Sequence, residues 1–180
     1  MPSSSASRVL LIGARAAGKS TVGPLLAERL GLEFLDCDAE VERVEGRSIA
    51  ALFRDACLRD AEQRALARLL SRRAGVVAAG GGAVLWSGLA GAARAWTVVW
   101  LRAPADELAR RMRKDPAERP SLTGRPAAEE IADVLRDREP LYRALATFDV
   151  ETMQRTAPEV TASIEKLLRG DDNRNAPNAD

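Results

Sequence analysis

Histidine is absent from all 180 residues. Its absence removes Ser–His–Asp hydrolysis, an imidazole general base and the common zinc sites, so the expected general base is a carboxylate. Lysine is scarce: Lys19, Lys114 and Lys166 stand against twenty-four arginines. The arginines are therefore judged by position, most of them belonging on solvated helix faces. The two cysteines, Cys37 and Cys57, have no metal-ligand spacing and read as small buried hydrophobes in a reducing compartment. No apolar run approaches membrane-spanning length, and the start Met1-Pro2-Ser3-Ser4-Ser5 lacks a signal-peptide core. The expectation is a cytoplasmic protein without a membrane partner. Basic and acidic residues nearly cancel, 27 against 26, which gives no electrostatic argument for nucleic acid.

The chain does hold one dense motif, Gly13-Ala14-Arg15-Ala16-Ala17-Gly18-Lys19-Ser20, a match to G-x-x-x-x-G-K-[ST]. Arg8-Val9-Leu10-Leu11-Ile12 before it reads as a short buried strand. Ser20 to Leu30 after it reads as a helix with Val22, Leu25, Leu26 and Leu30 on one face. A loop in that context meets phosphate with backbone N–H groups and the positive end of a helix dipole. Lys19 adds a cation for the outer phosphates, and Ser20 a hydroxyl for Mg²⁺. Ala16 and Ala17 occupy positions where glycine often lets the backbone turn. Pro24 should kink the helix, because it lacks an N–H and crowds the carbonyl of Ser20.

Strands and helices alternate from there on. Further strands are expected at Glu33–Asp36, Val76–Ala79, Thr97–Leu101 and Asp149–Thr152. Helices are expected at Ala39–Val44, Ile49 to about Ala56, Leu58–Arg73, Asp106–Arg113, Ala127–Arg143 with an interruption near Pro140, and from Pro158 onward. The polar stretch at residues 114–126 is expected to be mobile. Hydrophobic content of 46% suits a globular chain, and the length suits one domain, over residues 8–170, with flexible tails at 1–7 and 171–180. This order gives a three-layer α/β/α fold, a five-stranded parallel sheet with helices on both faces. Ligands then gather at the carboxyl ends of the strands. Four features fall there: the phosphate loop, Asp36-Cys37-Asp38, the triplet Gly80-Gly81-Gly82 and the turn after Thr152.

Each feature has a chemical reading and a plainer one. Alternation puts Asp36 and Asp38 on the same side of an extended segment, one carboxylate reaching the metal region, the other accepting a proton or hydrogen bond from a hydroxyl. The plainer reading is a helix N-cap at Asp38 and a solvated Asp36. Three successive glycines permit close backbone approach to a ligand and exceed what a turn needs. Arg119-Pro120 lies in the mobile stretch, where a lid would add charge over phosphates. Arg59 and Arg138, taken alone, read as surface residues.

The ordered set of segments is similar to the shikimate kinase family. It comprises the phosphate loop, Phe34-Leu35-Asp36-Cys37-Asp38-Ala39-Glu40-Val41-Glu42, Gly46-Arg47-Ser48-Ile49-Ala50, Gly80-Gly81-Gly82-Ala83-Val84, Arg119-Pro120-Ser121-Leu122 and Arg138-Glu139-Pro140-Leu141-Tyr142. The resemblance covers about residues 8–169 and implies a P-loop kinase fold with substrate-binding helices at about 38–73 and a lid at about 113–127. It implies transfer of the ATP γ-phosphate to the 3-hydroxyl of shikimate, with Mg²⁺, by a monomer. Ala16, Ala17, Gly18, Lys19, Ser20 and Thr21 would bind ATP together with Arg111, Arg119 and Arg155. Ser20 and Asp36 would lie at the metal. Asp38 would polarise the substrate hydroxyl, Gly80, Gly81 and Gly82 would border the acid, and Arg138 would clamp its carboxylate. Lys19, Asp38 and Arg119 form the implied catalytic set.

The second clamp departs from the family pattern. The family has a Phe-Arg-x-x-Glu stretch after an Ile-Phe pair; here Leu52-Phe53 is followed, at shorter spacing, by Leu58-Arg59-Asp60-Ala61-Glu62. Arg59 is the better match and Arg64 its rival. Ser121 replaces a usual Leu in the lid, and Ala16 a usual Gly. Other readings of the whole are a kinase for gluconate or a nucleotide, and a non-catalytic sensor of shikimate-like ligands.

Overall fold

The computed structural model describes residues 8–114 and 125–174. Its strands are β1 (Arg8–Ile12), β2 (Phe34–Asp36), β3 (Gly75–Ala78), β4 (Thr97–Arg102) and β5 (Phe148–Glu151), in the spatial order β2-β3-β1-β4-β5. Every pairing is parallel, with Leu10 of β1 opposite Val77 of β3 and Val98 of β4. The helices are α1 (Lys19–Leu30), α2 (Cys37–Glu45), α3 (Ile49–Arg54), α4 (Leu58–Leu70), α5 (Leu89–Ala92), α6 (Ala105–Lys114), α7 (Ala127–Leu145) and α8 (Ala157–Arg174).

The central strands are apolar at nearly every position because both faces of the sheet are covered. Alternation along β1 and β4 divides them between two cores. Leu10, Ile12, Val98 and Trp100 pack with residues of α2, α4 and α5. Val9, Leu11, Val99 and Leu101 pack with residues of α1, α6 and α8. The phosphate loop leaves the carboxyl end of β1, the middle of the sheet, and so lies between the turns that follow its neighbours β3 and β4.

Several local expectations change. α2 begins at Cys37, not Ala39, because the Asp36 carboxylate caps it, accepting from the N–H groups of Asp38 at 2.9 Å and Ala39 at 3.4 Å. Asp36-Cys37-Asp38 is therefore a helix start, not an extended segment, and the cap is Asp36 and not Asp38. α1 runs unbroken through Pro24, and α7 through Pro140. Both prolines are exposed, as are Ser20 and Arg136, so the carbonyls they leave without a helical partner are open to water. α4 stops at Leu70, short of Arg73, and α8 continues past Gly170 to Arg174, so the ordered helix takes in the first residues of the expected tail. Cys37 is buried as expected, whereas Cys57 is exposed at the start of α4.

Candidate active site

The phosphate loop is shaped by three left-handed residues: Gly13 at φ 146°, Ala16 at 62° and Gly18 at 97°. At Gly13 a Cβ would collide with the carbonyl oxygen of Leu101, so the loop crosses β4 where only glycine fits. Ala16 carries a Cβ in a conformation that L-residues avoid, and the strain is held by the loop around it. Ala16→Gly should thus stabilise the fold by about 0.5–1 kcal/mol, the relieved strain exceeding the added freedom of the unfolded chain. Thermal melting should show a gain of about 1–4 °C. An unchanged or lower midpoint would mean that the loop does not strain Ala16.

Beside the loop lies a cavity of about 650 Å³, walled by its residues Arg15 to Val22, by Glu107, Arg110 and Arg111 of α6, and by the segment from Thr152 into α8. Arg111 is fixed within it. Its guanidinium donates to Glu107 at 2.7 Å, to the Thr152 hydroxyl and carbonyl at 3.1 and 2.8 Å, and to the Ala16 carbonyl at 3.3 Å. Arg110 and Arg111 both bond Glu107, and hold its carboxyl down at about 2. Arg155 borders the same cavity, its guanidinium bonded to the carbonyls of Glu151 and Glu159 and to the Ser163 hydroxyl. The Lys19 ammonium donates to the carbonyls of Gly13 and Ala14 at 2.8 and 2.9 Å. Ser20 Oγ donates to Asp36 Oδ2 at 3.0 Å, so a hydroxyl and a carboxylate oxygen meet at the start of α1. Hard oxygens of this kind suit Mg²⁺, which takes one or two protein ligands and completes its shell with phosphate oxygens and water.

A second cavity, of about 100 Å³, opens on the other side of the loop. Arg59, Arg138, Gly81, Gly82 and Arg15 line it, with Ile49, Phe53, Leu58, Met112 and Ile131 as apolar wall. The glycine triplet packs closely on its neighbours. A Cβ on Gly80 would stand 2.9 Å from Glu62 Oε1 and 3.3 Å from Asp38 Oδ1. One on Gly81 would stand 3.3 Å from the Arg15 nitrogen, and one on Gly82 would overlap the Arg59 guanidinium. Asp38, Glu62, Arg59 and the phosphate loop therefore converge on the end of β3. The Gly81 carbonyl accepts from Arg138 at 3.0 Å and from the Tyr142 hydroxyl at 2.7 Å. Tyr142 is buried, which pushes its hydroxyl up to about 12 and keeps it a donor at neutral pH. Burial also pushes the Glu62 carboxyl above its usual range, against the opposing pull of Arg59, its partner at 2.5 Å.

Most of the expected site residues thus lie along two adjoining cavities. Arg138, which alone reads as a surface residue, reaches the glycine triplet. Arg59 lines the smaller cavity, whereas Arg64 pairs with Glu45 at 2.7 Å on the surface, its side chain 62% exposed. Arg119 lies outside the described residues, as does nearly all of the expected lid. Sequence reasoning passed over Arg15, Glu62, Arg110 and Tyr142. Glu62 had a signal in its spacing of three from Arg59 on one helix. Arg15 had none, because its position in the loop motif accepts any residue.

Comparison with known proteins points the same way. A sequence model of the shikimate kinase family matches residues 15–169. A shikimate kinase of Nitratidesulfovibrio vulgaris is 46% identical over 145 residues, 77% of this chain and 83% of that one. One from Thermobifida fusca is 40% identical over 162 residues, 88% of this chain and 93% of that one. The structure of the shikimate kinase of Acinetobacter baumannii in complex with shikimate matches with a TM-score of 0.85 at 36% identity, over 92% of this chain and 94% of that chain.

Proposed function

The chain belongs to the shikimate kinase family of ATP-dependent kinases, and we propose that it moves the γ-phosphate of ATP to the 3-hydroxyl of shikimate with the residues of these two cavities. One observation carries the reading: two guanidinium groups, Arg59 and Arg138, face a small cavity that the phosphate loop also borders. That pairing suits a small carboxylic acid held beside a phosphoryl donor. A nucleobase slot would need a different wall.

In this reading the larger cavity takes ATP. Backbone N–H groups from Ala16 to Thr21 and the Lys19 ammonium meet its phosphates, with Arg111 and Arg155 flanking the nucleotide. Ser20 and Asp36 would hold Mg²⁺, which supplies charge neutralisation across the outer phosphates. Shikimate enters the smaller cavity with its carboxylate on Arg59 and Arg138 and its ring against the Gly80–Gly82 backbone. Asp38 accepts the hydrogen bond, and then the proton, of the 3-hydroxyl. Arg119 closes from the lid and excludes water, a role that rests on the resemblance of Arg119-Pro120 to the family motif. Positioning and charge stabilisation do the catalysis, with no covalent intermediate on the protein. The enzyme works as a cytoplasmic monomer in this proposal; among the described residues no helix is long and apolar enough to cross a membrane.

A coupled ADP-release assay with shikimate, quinate and gluconate tests it. Shikimate alone should support turnover, and Lys19→Ala should lower that turnover by about 10²-fold or more. Equal turnover with gluconate would overturn the substrate assignment. Calorimetric binding of shikimate without turnover would make the chain a sensor and not an enzyme.

A further inference from the structure

We propose that Arg15 is a catalytic residue, contacting the phosphoryl group as it passes from the nucleotide cavity to the acid cavity. The inference rests on the substrate assignment above. Among the described residues Arg15 is the one that lines both cavities. Its backbone nitrogen packs on Gly81, so that the residue sits at the seam where the phosphate loop meets the end of β3. A γ-phosphoryl leaving the larger cavity for an acceptor in the smaller one must cross that seam.

Three other arginines near the seam each lie to one side of it. Arg59 is bonded to Glu62 and Arg138 to the Gly81 carbonyl, both on the acid side. Arg111 is bonded to Glu107 and Thr152, on the nucleotide side. Two guanidiniums suffice for one carboxylate, and Arg15 approaches from the phosphate loop instead. In the transfer the bond between the γ-phosphorus and its bridging oxygen breaks, the electron pair leaving with ADP. A bond forms from phosphorus to the acceptor oxygen, whose proton goes to the Asp38 carboxylate. Charge is then spread over three equatorial oxygens, and a planar guanidinium spans two of them at once. An arginine supplied from within the same chain to this charge acts on kcat more than on ground-state binding.

The test compares Arg15→Leu, Arg15→Gln and Arg15→Lys with the wild type, each first shown to melt within a few degrees of it. The steady-state constants for shikimate and ATP are measured. Calorimetry then gives the affinity for ADP alone and for ADP, Mg²⁺ and aluminium fluoride in the presence of shikimate, a mimic of the phosphoryl in flight. Leu and Gln should lower kcat about 10²–10³-fold and weaken the aluminium fluoride complex by a similar factor, with KM for shikimate and Kd for ADP changed less than about threefold. Lys, with charge but no fork, should recover part of kcat. A raised shikimate KM with kcat retained would make Arg15 a third carboxylate clamp and overturn the proposal. Equal loss of ADP affinity would do the same, as would an unchanged kcat. Absence of wild-type turnover with shikimate would instead overturn the substrate assignment, and this inference with it.

Discussion

Exchanging Asp38 for Asn should lower kcat for shikimate by about 10³-fold, the amount a positioned proton acceptor contributes to the transfer. The carboxylate lies at the first turn of α2, against Gly80, with Glu62 beside it. Asn keeps the shape and can still accept a hydrogen bond, but it cannot take the proton. The fold should not suffer, because α2 is capped by Asp36 and not by Asp38. The melting midpoint should therefore stay within about 3 °C of wild type. Asp36→Asn is the matching control. It should keep the cap, since Asn is as good an N-cap, and lose activity that excess Mg²⁺ partly restores. If Asp38→Asn retains more than a tenth of wild-type kcat, the proton is taken elsewhere, and Glu62 becomes the next carboxylate to test.

The second large effect is on folding. Gly13→Ala should destabilise the protein by about 3–5 kcal/mol, enough to lower the melting midpoint by about 10 °C. Two penalties coincide. The φ of 146° is outside the range of an L-residue, and the new Cβ would collide with the Leu101 carbonyl on the neighbouring strand. Backbone on backbone cannot yield as a side-chain tip can, so β1 and β4 would have to separate at the base of the phosphate loop. Gly46→Ala gives the scale. That glycine ends α2 at φ 63° with open space around it, and its replacement should lower the midpoint by only about 2–4 °C. Similar losses at both positions would show that the contact with Leu101 contributes nothing.

The two variants also separate what was legible in the chain from what was not. The loop motif calls for a glycine at Gly13, but the carbonyl that makes a side chain there intolerable comes from Leu101, far along the sequence. Asp36 and Asp38 are visible as a pair, and strand alternation gives them one shared direction. The structure sets them apart, because the Asp36 carboxylate caps a helix that starts two residues earlier than apolar spacing alone suggests, and Asp38 sits in its first turn. Arg59 and Arg64 fall on the same helix, and the resemblance left the second clamp open between them. The structure places Arg59 against Gly82 in the smaller cavity and Arg64 beside Glu45 on the surface, which is why the proposal takes Arg59 as the clamp. Pro140 reads as a break in a helix, yet α7 runs through it, with Pro140 and Arg136 both on an exposed face.

What the sequence determined unaided is the class of chemistry and the order of the layers. The absence of histidine rules out an imidazole base and points to a carboxylate in its place. The loop motif requires a strand before it and a helix after it, and alternating apolar strands require helices on both sides of a sheet. Those are local rules, set by the chemistry of a few adjacent residues. What the tertiary structure alone decided is which groups are brought together: Arg138 with Gly81, Asp38 against Gly80, Arg15 with both sides of the seam. Such pairs are joined by parallel crossovers of many residues, and a side chain's reach across the sheet's edge depends on register and packing that no neighbouring residue encodes.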